Sequence, residues 1–232
     1  MEDLHNCKGC CASTNSLFKN ISQTENVFID NEKDCREYKR GNILYKEGNR
    51  ISGVFCINSG ILKIYKTGSD GKEQIIAFAK EGDITGYRSV LSNEPACTTA
   101  EVIEDANICF IPSNVIFHLV KTNGDFALAL VQLTCKELNQ ANSYIKDIAQ
   151  KTVRERLAEA LLMLEETFGT NNEGYLNIIL TREELGNIVG TATESVIRLL
   201  SEFKSEKTII MDGKRIKLEN KQYLQKLSKS FS

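Results

Sequence analysis

The stretch TATESVIRLLSEFK, residues 191–204, sets a carboxylate and a guanidinium four positions apart, at Glu194 and Arg198. On a helix that spacing brings them to one face, with Ile197 beside them. Val196, Leu199, Leu200 and Phe203 fall at i, i+3, i+4 and i+7 and form a separate apolar face. The chemistry open to the outer face is base reading in a DNA major groove. Arginine can donate two hydrogen bonds to O6 and N7 of guanine, while a carboxylate accepts from N4 of the paired cytosine. Ile197 offers a surface to a thymine methyl, and Thr181, Thr191, Thr193, Lys214 and Arg215 are candidates for phosphate or flanking contacts. The competing reading is plainer: Glu194 closes a capping box with Thr191, and Glu194–Arg198 is a surface ion pair.

Eight cysteines are a second source of chemistry. The N-terminal sequence MEDLHNCKGCC lacks the basic region and apolar stretch of a secretory signal, so the expected location is the cytoplasm. There the cysteines read as thiols, metal ligands or core residues rather than as a disulfide framework. Cys7, Cys10 and Cys11 carry C-x-x-C spacing, and with one distant thiolate they could hold an iron–sulfur (Fe–S) cluster. Zinc and a redox thiol site are the alternatives. Cys109, in the apolar run NICFIP, also reads as core, as do Cys56 and Cys135. His5 and His118 are the only histidines. His118 could ligate haem, but a lone histidine in a Phe-His-Leu-Val run reads as structural. No nucleophile–base pair, P-loop, G-x-G-x-x-G or metal-hydrolase spacing is present, which argues against an enzyme.

Periodicity and punctuation define the elements that must position these residues. Ahead of the opening stretch lies LTREELGNIVG, 180–190, in which Thr181 and Glu184 form a capping box and Leu180 and Leu185 a hydrophobic staple. Gly190 can take the left-handed conformation that ends this helix. Beyond it, TIIMDGKRIKL (208–218) has two β-prone runs around Asp212-Gly213, a hairpin signal. Helix, tight turn, helix and hairpin make a winged helix-turn-helix. From Cys35 to about Ile111, short runs rich in Ile, Val, Phe and Tyr are cut by glycines, as in ILKIYKTGSDGKEQIIAFA. That pattern argues for an antiparallel barrel or jelly roll. Between the two, Phe126 to Gln150 contains neither Gly nor Pro, and Leu130, Leu138, Ala141, Ile145 and Ile148 recur at spacings near 3.5. Such a stripe is the seam of a coiled-coil-like dimer helix.

The expected organisation is an α+β chain: an N-terminal tail (1–15), an antiparallel barrel or jelly roll (16–123), a dimerisation helix (124–150) and a winged helix-turn-helix (151–232). A chain of 232 residues can bury a sizeable core. No apolar run approaches the roughly 18 residues that span a membrane. The net charge of −2 hides an asymmetry, because 204–229 carries eight basic residues against three acidic ones. An excess of that kind can meet a phosphate backbone.

With these motifs in place, the chain resembles the Crp/Fnr superfamily of bacterial transcription regulators over nearly its whole length. The resemblance rests on RERLAEALLML, on LTREELGNIVGTATESVIRLLSEF with its E-[ST]-[VI]-x-R pattern, and on GILKIYKTGSDGKEQI and EGDITGY. It implies a cyclic-nucleotide-binding-like β-roll and a homodimer in which Glu194 and Arg198 read a TGA-containing palindromic half-site of double-stranded DNA. It further implies that Gly86, Tyr87, Arg88, Thr98 and Thr99 border the effector pocket. Relatives that bind cyclic AMP (cAMP) carry Gly-Glu and Arg-Ser-Ala or Arg-Thr-Ala there; this chain has Gly86-Tyr87 and Thr98-Thr99-Ala100. A cyclic phosphate would lack its paired cation, which argues against classical cAMP binding and leaves the effector unidentified. Cys109 matches a cluster ligand of the oxygen sensors, but their spacing puts the third N-terminal ligand at Ser16. Their acidic seam residue, which opposes dimerisation, matches Ala141. Contacts with RNA polymerase are implied at loops such as 66–74 and 169–174. Activation and repression are not distinguished. The second function left open is a β-roll regulatory subunit whose helix-turn-helix binds a protein partner.

Overall fold

The computed structural model describes residues 17–229. His5, Cys7, Cys10, Cys11 and Ser16 therefore lie outside the described residues. The chain divides into two compact units, Met1–Leu138 and Asn139–Ser232.

The first unit opens with a 3-10 turn, Leu17–Asn20, and helix α1, Gln23–Glu32. Its sheet has six antiparallel strands: β1 (Asp34–Tyr38), β2 (Ile43–Tyr45), β3 (Gly53–Thr67), β4 (Glu73–Lys80), β5 (Ile84–Thr85) and β6 (Thr99–Pro112). The order is β1-β6-β3-β4, with β2 on β6 and β5 on β3. β3 and β6 carry the roll, and register shifts around Ile57, Ser59 and Ile61 mark bulges that bend them. Gly60 is required at that bend. Its φ is +89°, and a Cβ there would lie 2.5 Å from the Asp105 carbonyl oxygen.

Two apolar clusters fill this unit. One gathers Ile57, Leu62, Ile64, Ala100, Val102 and Ile108. The other packs Val54, Cys56 and Ile111 of the sheet against Phe18 and Ile29, helices α2 (Tyr87–Ser92) and α3 (Ser113–Thr122), and Phe126 and Leu130 of α4 (Gly124–Gln150). Cys35, Cys109 and Cys56 stand opposite one another on β1, β6 and β3. Residues directly opposed across antiparallel strands share a face. Cys35 and Cys109 are joined as a disulfide, and Cys56 is a buried thiol. For the first two, the expectation of unbridged cysteines is corrected: strand pairing brings together sulfurs that are 74 residues apart in sequence.

The second unit holds the end of α4, then α5 (Val153–Phe168), α6 (Arg182–Val189), α7 (Thr193–Ser205), hairpin strands β7 (Ile209–Asp212) and β8 (Arg215–Leu218), and α8 (Lys221–Ser228). Thr152 and Glu155 cap α5 reciprocally. Leu157, Leu161, Leu164, Leu185, Val196, Phe203 and Leu224 are all buried. Each such side chain contributes about 1.5–3 kcal/mol relative to exposure. Asp212 pairs with Arg215 in the hairpin, leaving Gly213-Lys214 as its two-residue loop.

Candidate nucleic-acid interface

Helix α6 starts on Thr181. Its hydroxyl accepts from the Glu184 N–H at 3.1 Å, while the Glu184 carboxylate accepts from the Thr181 N–H at 2.6 Å. The helix ends at Gly190, whose N–H donates to the Gly186 carbonyl at 2.8 Å and whose φ is +70°. Gly186 has a role the motif reading missed. A Cβ there would lie 3.0 Å from the Thr191 carbonyl oxygen, so a glycine lets the turn fold back on α6. Behind the turn, Tyr144 Oη and Arg156 Nε donate to the Ile188 and Val189 carbonyls at 3.4 and 2.9 Å. These contacts satisfy acceptors that a helix C-terminus leaves open.

Helix α7 begins at Thr193, and its N-cap is Ala192, which makes no side-chain cap. The capping box between Thr191 and Glu194 does not form. The Glu194–Arg198 ion pair does not form either. Arg198 Nη1 donates instead to Glu202 Oε1 at 2.6 Å. The reason lies on the far side of Glu202, whose other oxygen accepts from Arg154 Nη1 at 2.8 Å. A carboxylate already fixed in place is the better partner. Glu194 is exposed and takes part in no ion pair among the described residues. Val196, Leu199, Leu200 and Phe203 are buried, while Ile197 is 52% exposed and projects outward with Arg198. Thr191 and Thr193, both half-buried, flank Ala192 where α7 begins.

In the hairpin, Lys214 is exposed at the tip. Arg215, a candidate phosphate contact, is engaged within the protein. Its guanidinium lies 4.6 Å from the Tyr175 ring centre and pairs with Asp212 and, at 3.0 Å, with Glu173. Two carboxylates neutralise it, so it braces the wing against the preceding loop. Arg182 was missed. Its Nη2 donates to the Gly213 carbonyl at 3.0 Å, fastening the wing turn to α6, and its buried Nη1 meets no hydrogen-bond acceptor among the described residues. Burial lowers its pKa from the ordinary arginine value. A single Arg after an N-cap carries no sequence signal for that contact.

On α4, the exposed apolar side chains include Leu128, Val131, Leu138, Ile145 and Ile148, with Leu138 60% and Ile145 66% exposed. Ala141 is also exposed. Leu130 is corrected as a seam residue: it is 4% exposed and packs beside Phe126 in the first unit's core. The start of α4 must turn Phe126 and Leu130 into that core, which moves the outward stripe onto Leu128, Val131 and Cys135. Cys135, read as a packing residue, is exposed on that stripe.

Of the residues expected around an effector, Thr98 and Arg88 both lie within interaction range of the Tyr45 hydroxyl. Gly86 is the N-cap of α2, with φ +84°. Tyr87 is buried in the core; desolvation, and after it the Glu137 carboxylate, push its hydroxyl pKa upward. Arg88 pairs with Glu137 at 3.5 Å, which neutralises the one cation of that set. Thr98 is 4% exposed and approaches Tyr45, whose hydroxyl shares a hydrogen bond with Thr85. Thr99 is buried as well. Its hydroxyl accepts from the Glu47 N–H at 3.0 Å.

Cys109 does not fit a cluster ligand in this form, since its sulfur is bonded to Cys35 and cannot act as a thiolate. Among the described residues, no group of three or more His, Cys, Asp or Glu side chains is arranged to hold a metal ion. His118 is exposed and meets Phe28 edge-on, with ring centres 5.2 Å apart.

A six-stranded β-roll, a long helix with an exposed apolar stripe and a winged helix-turn-helix with an outward Glu/Arg face are the parts of a sensor-coupled DNA-binding regulator. Residues 35–123 match the cyclic nucleotide-binding domain family and residues 155–227 the Crp-like helix-turn-helix domain family. The chain belongs to the Crp/Fnr family, which is a family of transcription regulators. Regulators of this family bind DNA and function as dimers. The chain is 26% identical over 225 residues to the fumarate and nitrate reduction regulatory protein of Yersinia pestis, covering 96% of this chain and 90% of that one. It is 28% identical over 218 residues to electron transport regulator A of Shewanella oneidensis, covering 90% and 85%. The structure of FixK2 from Bradyrhizobium japonicum aligns with TM-score 0.77 and 25% identity over 86% of this chain and 99% of that one. A crp/fnr-family regulator of Eubacterium rectale aligns with TM-score 0.76 and 20% identity, over 91% and 97%. Among the described residues, no helix is long and apolar enough to cross a membrane.

Proposed function

We propose that the protein is a homodimeric, cytoplasmic regulator that reads TGA-containing palindromic half-sites through α7, under control of an effector other than cAMP. The observation that carries the base-reading assignment is the state of Glu194. Among the described residues it is neither a side-chain cap nor an ion-pair partner, yet it stands exposed four residues from Arg198 at the start of α7. A carboxylate without an ion-pair partner among the described residues, beside an outward guanidinium, matches the acceptor and donor needs of one C·G pair. Thr191, Thr193 and Lys214 supply phosphate contacts, and Thr181 contributes by fixing α6. Contacts with RNA polymerase are proposed for loops 66–74 and 169–174. In fluorescence anisotropy at one fixed salt concentration, the protein should bind a duplex carrying a TGA palindrome about a thousandfold more tightly than its scrambled counterpart. Equal affinities would overturn the assignment.

The exclusion of cAMP rests on Thr98 and Arg88. A buried threonine stands where the phosphate would need a cation, and the nearby guanidinium is already paired with Glu137. A singly charged phosphate desolvated beside such groups is disfavoured. Titration calorimetry with cAMP should show no saturable heat. Stoichiometric binding in the micromolar range would refute this part of the reading.

A further inference from the structure

We propose that Glu202 is a positioning residue that sets how selectively Arg198 reads guanine. The inference rests on the base-reading role of α7 given above. Glu202 uses both carboxylate oxygens: Oε1 accepts from Arg198 Nη1 at 2.6 Å and Oε2 from Arg154 Nη1 at 2.8 Å. Arg154 is itself fixed. Its Nη2 donates to both oxygens of Glu206 at 2.7 and 2.6 Å, and its guanidinium lies 4.6 Å from the ring centre of Phe203, a fully buried residue. Burial alone would disfavour the charge on Arg154, and hydrogen bonds to Tyr223 and Glu206 more than offset it. The chain of contacts therefore runs from a side chain anchored on α5, through one carboxylate, to the tip of an exposed arginine.

An exposed arginine samples many rotamers, and ordering it on a base opposes binding. With Nη1 held by Glu202, the guanidinium keeps its Nε–Nη2 edge for a bidentate contact and loses less freedom on meeting guanine. The same carboxylate repels a phosphate backbone that approaches without forming that contact. Glu202 thus strengthens the matched complex and weakens the unmatched one. A residue that merely fastened α7 to α5 would not act in opposite directions on the two.

The experiment compares wild type, Glu202→Gln, Glu202→Asp and Glu206→Gln on the TGA palindrome and a scrambled duplex, with melting temperatures taken in parallel. Glu202→Gln should bind the palindrome more weakly and the scrambled duplex more tightly, cutting the ratio by about tenfold, a share of one bidentate contact. Glu202→Asp keeps the charge but is too short to bridge both arginines. It should lower the ratio while scrambled binding stays as in wild type. Glu206→Gln loosens Arg154 one step further from the base without touching Arg198, and should lower the ratio by less than either Glu202 variant. If wild type does not distinguish the duplexes, the base-reading assignment itself fails. If wild type does but Glu202→Gln and Glu202→Asp keep its ratio, or Glu206→Gln loses it equally, the positioning role is overturned.

Discussion

Replacing Arg198 by alanine is expected to remove about 1–3 kcal/mol of discrimination from each half-site, the worth of one bidentate guanine contact. In a dimer on a palindrome the loss is counted twice. The effect should be confined to sequence-matched DNA, because the lost hydrogen bonds go to base edges rather than phosphates. Anisotropy titrations should therefore show affinity for the TGA palindrome falling toward that for the scrambled duplex. The salt dependence should change little. Folding should be unaffected, since the Arg198 side chain is 66% exposed and its partner Glu202 keeps Arg154. A parallel loss on both duplexes would identify Arg198 as a phosphate contact and remove the basis for base reading.

The helix-turn-helix was legible because each of its signals is local. Thr181 with Glu184, the staple leucines, Gly190 and the i, i+3, i+4, i+7 stripe of α7 depend only on neighbours within two turns. The capping box, the left-handed Gly190 and the buried stripe appear in the structure as read, and Leu180 and Leu185 are both buried. What the sequence concealed was tertiary competition. Glu202 lies four residues beyond Arg198 just as Glu194 lies four before it, and nothing local says which carboxylate wins. Arg154, 48 residues away, decides it by fixing Glu202. Arg215 has the same history. As one basic residue in a basic segment it suggested phosphate, and only the fold brings Glu173 and Tyr175 to it. The cysteines show the limit most sharply. Cys35 and Cys109 are unremarkable in their own segments, and it is the β1–β6 register that sets them face to face.

The long helix was legible as to period and misread as to phase at one position, and that difference gives the second prediction its control. Leu138 and Ile145 project into solvent in the protomer, whereas Leu130 is packed in the first unit. A glutamate at 138 and another at 145 should leave the protomer folded, because neither side chain supports its core. Across a two-fold seam, however, each new carboxylate would lie close to its symmetry mate, where apolar contact is lost and like charges are desolvated. Leu138→Glu combined with Ile145→Glu should therefore give a monomeric mass by light scattering, with near-native circular dichroism and melting. Two half-sites held by one dimer bind as a linked pair, and unlinking them should weaken binding to the palindrome by roughly a hundredfold or more. Leu130→Glu should behave differently, unfolding the first unit because it buries an unpaired carboxylate. A double variant that stays dimeric would place the subunit interface elsewhere than on the exposed stripe of α4.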